Sequence, residues 1–195
     1  MKKYELTAEF IEKWGKKLFR IKALISFGRV EVGELGGYVE KEDNLAQDGN
    51  AWVYGNARVC GNARVYGNAE VYGNAEVYGN AWVYGNAEVY GDARVCGDAR
   101  VCGNAWVCGN ADYLLIGRIG SRFSFTTFFK NKDKGITVSC GCFLGTIAEF
   151  RAKVSDTHGN NKHAKIYNLA ADMAELQILG EEHFDKLNTN KSEPF

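Results

Sequence analysis

From Asn50 to Asp112 the chain repeats a six-residue unit, Asn-Ala-x-Val-Tyr-Gly. Asn or Asp recurs at every sixth position through Asn110, and Gly recurs from Gly49 to Gly109. A period this short leaves room for one brief strand and one corner. Ala and Val stand two apart, so a strand turns both to one side and sends the variable residue and the Tyr or Cys to the other. Gly-Asn supplies the corner, because both residues accept tight reversal and positive φ. A lumen lined only by Ala and Val cannot be closed by one unit, so successive coils must stack and bury one another, which makes the array a solenoid.

The array resembles the hexapeptide-repeat superfamily, over about a third of the chain. That resemblance implies a left-handed parallel β-helix with three six-residue sides per coil; the usual right-handed rule for parallel crossovers does not supply that hand. With three sides, residues 18 apart lie above one another at about 4.8 Å. One outward column then reads Arg58, Glu76, Arg94, Asp112, a second Arg64, Trp82, Arg100, and a third Trp52, Glu70, Glu88, Trp106. The first alternates in sign, and the second sets an indole between two guanidinium groups. The like charges of the third are expected to rely on solvent. Tyr54, Tyr72 and Tyr90 predict an aromatic stack. All these columns read as scaffold ladders. Asn44 to Gly49 reads as a degenerate first unit with Leu45 in the Ala slot, and the helix is expected to begin near Gly33.

The expected fold is mainly β, with an N-terminal hairpin cap over residues 1–32, a β-helix over 33–117 and a small α+β module over 118–195. Phe10 to Trp14 and Lys17 to Ala23 predict the hairpin, with a helix from Thr7 as its rival. The basic run Lys13, Lys16, Lys17, Arg20, Lys22 reads as a solvated face. In the module, Phe123 to Lys130 and Ile136 to Cys142 alternate as an antiparallel pair. Thr146 with Glu149 forms a capping box for a helix that ends before Gly159. A second helix, Lys162 to Leu179, carries Ile166, Leu169, Ala170, Met173, Leu176 and Gln177 at helical spacing and stops at Gly180. The last fifteen residues are polar and expected to fray. This tail resembles a module that accompanies hexapeptide arrays in phage and prophage proteins. The resembling segments include Thr126-Thr127-Phe128-Phe129, Lys134 to Phe143 and Gly145 to Phe150, joined by Lys3 to Thr7 and Leu35 to Glu40. It implies a mobile-element origin and no particular activity.

Residues 33–117 contain no histidine, and the spacing never breaks for a loop. The general base of hexapeptide acyltransferases and the histidine cluster of the zinc enzymes of this architecture are thus missing, and no catalytic residue is expected. The absence of Thr from positions 50–112 sets aside ice binding. His158, His163 and His183 all lie in the tail, where His158 reads as a helix-dipole partner. Cys140 and Cys142, two apart on one strand, read as small buried hydrophobes more readily than as half of a metal site. Cys60, Cys96, Cys102 and Cys108 never fall 18 apart, so disulfides within the coils are not expected.

The 24 basic and 24 acidic side chains cancel, removing a global field for nucleic acid or membrane. No apolar run reaches about 18 residues, and Glu5 follows Lys2 and Lys3 too closely for a secretory signal, so a cytoplasmic protein is expected without cofactor or metal. The expected function is a phage-type interaction protein, with a host protein, plausibly a defence component, as partner. Homo-oligomers, trimeric or dimeric, are expected, and Arg122, Thr127, Lys134, His158 and Tyr167 are the expected contact residues. The alternative is nucleotide or nucleic-acid binding by the stretch Arg118 to Lys134, where basic residues interleave with Phe123, Phe125, Phe128 and Phe129. Acyl transfer is the remaining, weaker reading.

Overall fold

The computed structural model describes residues 2–182 and divides the chain into two compact units, residues 1–110 and 111–195. The boundary therefore falls before residue 111 rather than at 117. Expectations for His183 and for fraying beyond residue 182 lie outside the described residues.

In the first unit the repeat forms ten two-residue strands, β4 to β13. In chain order they are Trp52–Val53, Arg58–Val59, Arg64–Val65, Glu70–Val71, Glu76–Val77, Trp82–Val83, Glu88–Val89, Arg94–Val95, Arg100–Val101 and Trp106–Val107. Strands three apart in sequence pair in parallel, so Arg58 faces Glu76 and Glu76 faces Arg94, 18 residues at a time. Three sheets result, and one of them is four coils deep. Every repeat Ala and Val from Ala51 to Val107 is buried, because the lumen is too narrow for anything larger. Gly85 shows what the corner demands. Its φ is +72°, and a Cβ there would stand 2.9 Å from the Gly103 amide nitrogen of the next coil. The corner Asn amides also bond from coil to coil, as Asn62 Nδ2 donates to Asn80 Oδ1 at 3.2 Å.

The N-terminal segment is a hairpin, with no helix at Thr7. Strand β1 (Tyr4–Lys13) and β2 (Lys16–Ala23) meet at a Trp14-Gly15 turn in which both residues have positive φ. That combination suits a two-residue hairpin turn. Strand β3 (Leu35–Val39) then pairs antiparallel with β2 and parallel with β5. The hairpin thereby extends one side of the solenoid and covers the edge that the first coils would leave open. The degenerate unit joins in, but two residues out of the expected phase: Leu45 bridges Val65 and so takes the Val slot.

The expected ladders form, with three corrections. Trp52 is fully buried rather than displayed, because Tyr4 and Phe27 close over its indole at 6.0 and 5.3 Å. Glu70 and Glu88 do not rely on solvent. Arg29 Nη2 donates to both Glu70 oxygens at 2.6 and 2.5 Å, and the Tyr72 hydroxyl donates to Glu88 at 2.9 Å. Asp112 leaves the first column for a 3-10 turn, where it pairs with Lys130 at 3.4 Å. Arg100 does lie over the Trp82 ring, 5.0 Å from its centroid. Tyr72 stacks on Tyr90 at 4.9 Å, and Tyr66 on Tyr84 at 4.8 Å forms a second pair that the sequence reading did not single out.

The basic run of the hairpin is only partly a solvated face: Lys17 and Lys22 are exposed, and the others find acidic partners. Lys13 at its tip pairs with Glu76, Lys16 with Glu40 at 2.7 Å, and Arg20 with Glu9 at 3.4 Å, while Lys17 covers the Phe10 ring. Glu76, only 4% exposed, also meets Arg58 and Arg94 at 3.3 Å each. Three cations around one buried carboxylate join hairpin and solenoid into one body. Lys3, 2% exposed, sends its ammonium to the carbonyls of Asp48 and Ala51 at 3.2 and 2.9 Å. Burial holds its pKa down at about 8.

The second unit is a four-stranded antiparallel sheet, not a lone hairpin. Its strands β14 (Tyr113–Ile119), β15 (Ser124–Lys130), β16 (Ile136–Cys140) and β17 (Phe143–Thr146) pair in sequence order. Helices α1 (Ile147–His158) and α2 (Lys162–Leu179) pack on it. Thr146 and Glu149 make the expected capping box, and Asn161 caps α2. Phe128, Val138, Phe150, Val154 and Tyr167 belong to the core between sheet and helices.

Candidate functional site

Helix α1 turns Phe150, Lys153, Val154, Thr157 and His158 to one side, a spacing of three and four residues that aligns them on a single face. Phe150 and Val154 enter the core, and the other three reach a cleft at its margin. The opposite walls are two turns. One, residues 120–123, joins β14 to β15 and carries Ser121 and Arg122. The other is Gly141-Cys142, between β16 and β17, with Gly141 at φ +61°. Cys142 is therefore an exposed turn residue, and the strand ends at Cys140, so the two thiols do not share one strand face.

The cleft has a volume of about 390 Å³. Tyr167 from α2 forms part of its wall, with its ring stacked on His158 at 5.7 Å and edge-on to Phe150 at 5.6 Å. Its hydroxyl shares a hydrogen bond with the Cys140 thiol, and burial pushes its pKa up to about 12. The 120–123 turn passes close above this ring. A Cβ at Gly120, whose φ is +71°, would lie 1.8 Å from the Tyr167 hydroxyl, so only glycine lets the turn approach.

Three of the five expected contact residues, Arg122, His158 and Tyr167, thus come together from a turn and two helices. The other two do not. Thr127 is 2% exposed in the middle of β15, between Leu115 and Ser139 on the neighbouring strands. Lys134 sits at φ +61° in the turn after β15, at the other end of that strand from Arg122. Lys153 and the hydroxyls of Ser121 and Ser124 were missed. For Lys153 the signal was present, since it lies three residues after Phe150 and four before Thr157 on one helical face. Among the described residues, no three His, Cys, Asp or Glu side chains come together in a set able to hold a metal ion.

A second feature of this unit reverses an expectation. On α2 the buried residues are Ala164, Tyr167, Ala170, Ala171, Ala174 and Ile178, together with Glu175. Ile166, Leu169, Met173 and Leu176 face outward, 39%, 63%, 57% and 46% exposed. The small side of the helix is buried because α2 packs against both α1 and β14, where close approach requires alanine. Glu175 enters with a partner, Arg151, which bonds it at 2.7 Å and Asp172 at 2.7 Å. Phe123, at φ +48°, is also exposed, whereas Phe128 and Phe129 are fully buried.

The family profile for the YdcK Beta solenoid repeat matches residues 51–73, 69–85 and 93–109, all within the coils. The repeat region is thus similar to a β-solenoid family, in agreement with the observed parallel coils. No curated protein matches the chain. No helix among the described residues is long and apolar enough to cross a membrane.

Proposed function

We propose that the protein is a non-catalytic interaction protein, in which the solenoid is a rigid scaffold and the C-terminal unit contacts a protein partner. The observation that carries this reading is the outward line of Ile166, Leu169, Met173 and Leu176 on α2. Large apolar side chains aligned on one exposed face are what a protein interface uses, and isolated ones are not. The solenoid belongs, on this reading, to the hexapeptide-repeat superfamily, and its flat sides support a homodimer or homotrimer. The phage-like tail segments make a cytoplasmic host protein, such as a defence component, the partner in view. The absence of histidine from residues 33–117 leaves acyl transfer without a base in the coils.

Nucleic-acid binding along Arg118 to Lys134 gains less support. Phe128 and Phe129 are buried, so two of the four phenyl rings of that stretch are closed to a strand, and Lys130 is paired with Asp112.

The test is capture from host lysate by the full chain, compared with a Leu169→Glu/Met173→Glu variant, each with and without nuclease. The expected result is a single host protein retained by the wild type in both conditions and lost with the variant. Retention by both proteins alike, or loss on nuclease treatment, would reject the reading. Sedimentation of the same two proteins reports the oligomeric state.

A further inference from the structure

The cleft of the C-terminal unit carries one sign of charge. Arg122 and Lys153 line it, and no Asp or Glu does. Two neighbouring cations are already paired: Arg151, on the same helix as Lys153, holds Asp172 and Glu175, and Lys130 holds Asp112. No ion pair among the described residues involves Arg122 or Lys153. Two cations facing one low-lying cavity without a counter-charge raise its potential and favour an anion.

The remaining lining narrows the class of anion. Ser121, Ser124 and Thr157 add hydroxyl donors at the rim, suited to an oxyanion with several acceptor oxygens. The His158 ring, backed by the largely buried Tyr167 ring stacked on it, gives a flat wall, and Phe143 and Phe150 an apolar floor. A flat wall beside paired cations fits a ring that bears a phosphate. The volume of about 390 Å³ falls in the range of small-molecule sites. The close passage of Gly120 over Tyr167 holds this wall in place before any ligand arrives.

We propose that this cleft binds a small phosphorylated ligand of the nucleoside monophosphate class, with the phosphate held by Arg122 and Lys153 and the ring against His158. The site is distinct from the apolar face of α2 and stands or falls independently of it.

Calorimetric titration of the full chain tests the assignment, with adenosine monophosphate, cytidine monophosphate, adenosine, inorganic phosphate and a single-stranded oligonucleotide as probes. At least one monophosphate should bind, and both adenosine and inorganic phosphate should bind at least about tenfold more weakly. Arg122→Ala and Lys153→Ala should each weaken the monophosphate by about tenfold, and added salt should weaken it further. Both side chains are exposed, so circular dichroism should show these variants folded. His158→Ala should weaken the monophosphate while leaving inorganic phosphate unchanged. No binding by any probe overturns the proposal, as does equal affinity for adenosine or for phosphate. Affinity unchanged in the Arg122 and Lys153 variants removes the ligand from this cleft, and tighter binding of the oligonucleotide replaces a small ligand with a strand.

Discussion

The two units treat their surface side chains in opposite ways. In the solenoid unit, charge is largely answered from within: Glu76 gathers Lys13, Arg58 and Arg94, and Glu70 is held by Arg29. In the C-terminal unit, Arg122 and Lys153 face a cleft without a carboxylate, and four large apolar side chains line the outside of α2. A repeating ladder places each outward residue against another 18 positions away, so its surface becomes part of its cohesion. A sheet with two helices has no such repetition, and what it leaves unpaired is open to other molecules.

The sharpest way to break this contrast is through the lumen. Val77→Asp puts an unpaired charge where Val77 is fully buried, at a cost above about 4 kcal/mol. Calorimetry should then show the solenoid transition lost while that of the C-terminal unit persists. Loss of both together would mean that the units do not fold separately.

Next in size is Glu76→Ala, which leaves three cations without their shared carboxylate. Because Lys13 and Arg94 still reach water, the loss should be about 2 kcal/mol, below the range for a fully buried pair. It should appear in thermal unfolding of the solenoid unit alone.

Gly85→Ala forces an alanine to φ +72° and crowds the next coil, and should cost about 1–2 kcal/mol. Thr146→Ala removes the α1 cap and should cost about 1 kcal/mol, read from the second transition.

The smallest effect is a dependence on pH. Hydrogen bonds from Thr146 hold the Glu149 carboxyl below the usual carboxylate range. A carboxylate with a lowered folded pKa contributes stability above its ordinary pKa and loses it as pH falls through the folded value. The C-terminal transition should therefore weaken in acid, and Glu149→Gln should remove that part of the sensitivity, whereas the Thr146 backbone amide that makes the larger bond survives any change of its own side chain. An acid slope unchanged by the substitution would rule out this cap as its source.

Much of the fold was legible because its signals are local. Residues 18 apart pair as the six-residue period requires, and the bounds of both helices follow from Thr146, Gly159 and Gly180. Strands β14 and β17 were harder, since Tyr113 to Ile119 follows the repeat directly and Phe143 to Thr146 runs into a helix cap. The site was legible in part: Arg122 and His158 are polar residues at a turn and a helix end and Tyr167 is an aromatic inside α2, but spacing alone does not say that they meet.

The six-residue period by itself determined the inward Ala and Val, the outward ladders and the parallel stacking, because in a coil each residue's neighbours are set by a fixed offset along the chain. Only the tertiary structure decided which side of α2 is buried. Periodicity marks two apolar stripes on that helix, and hydrophobicity favours the one with Ile166, Leu169, Met173 and Leu176. Close packing against α1 and β14 admits the alanine stripe instead, and so turns the larger side chains outward.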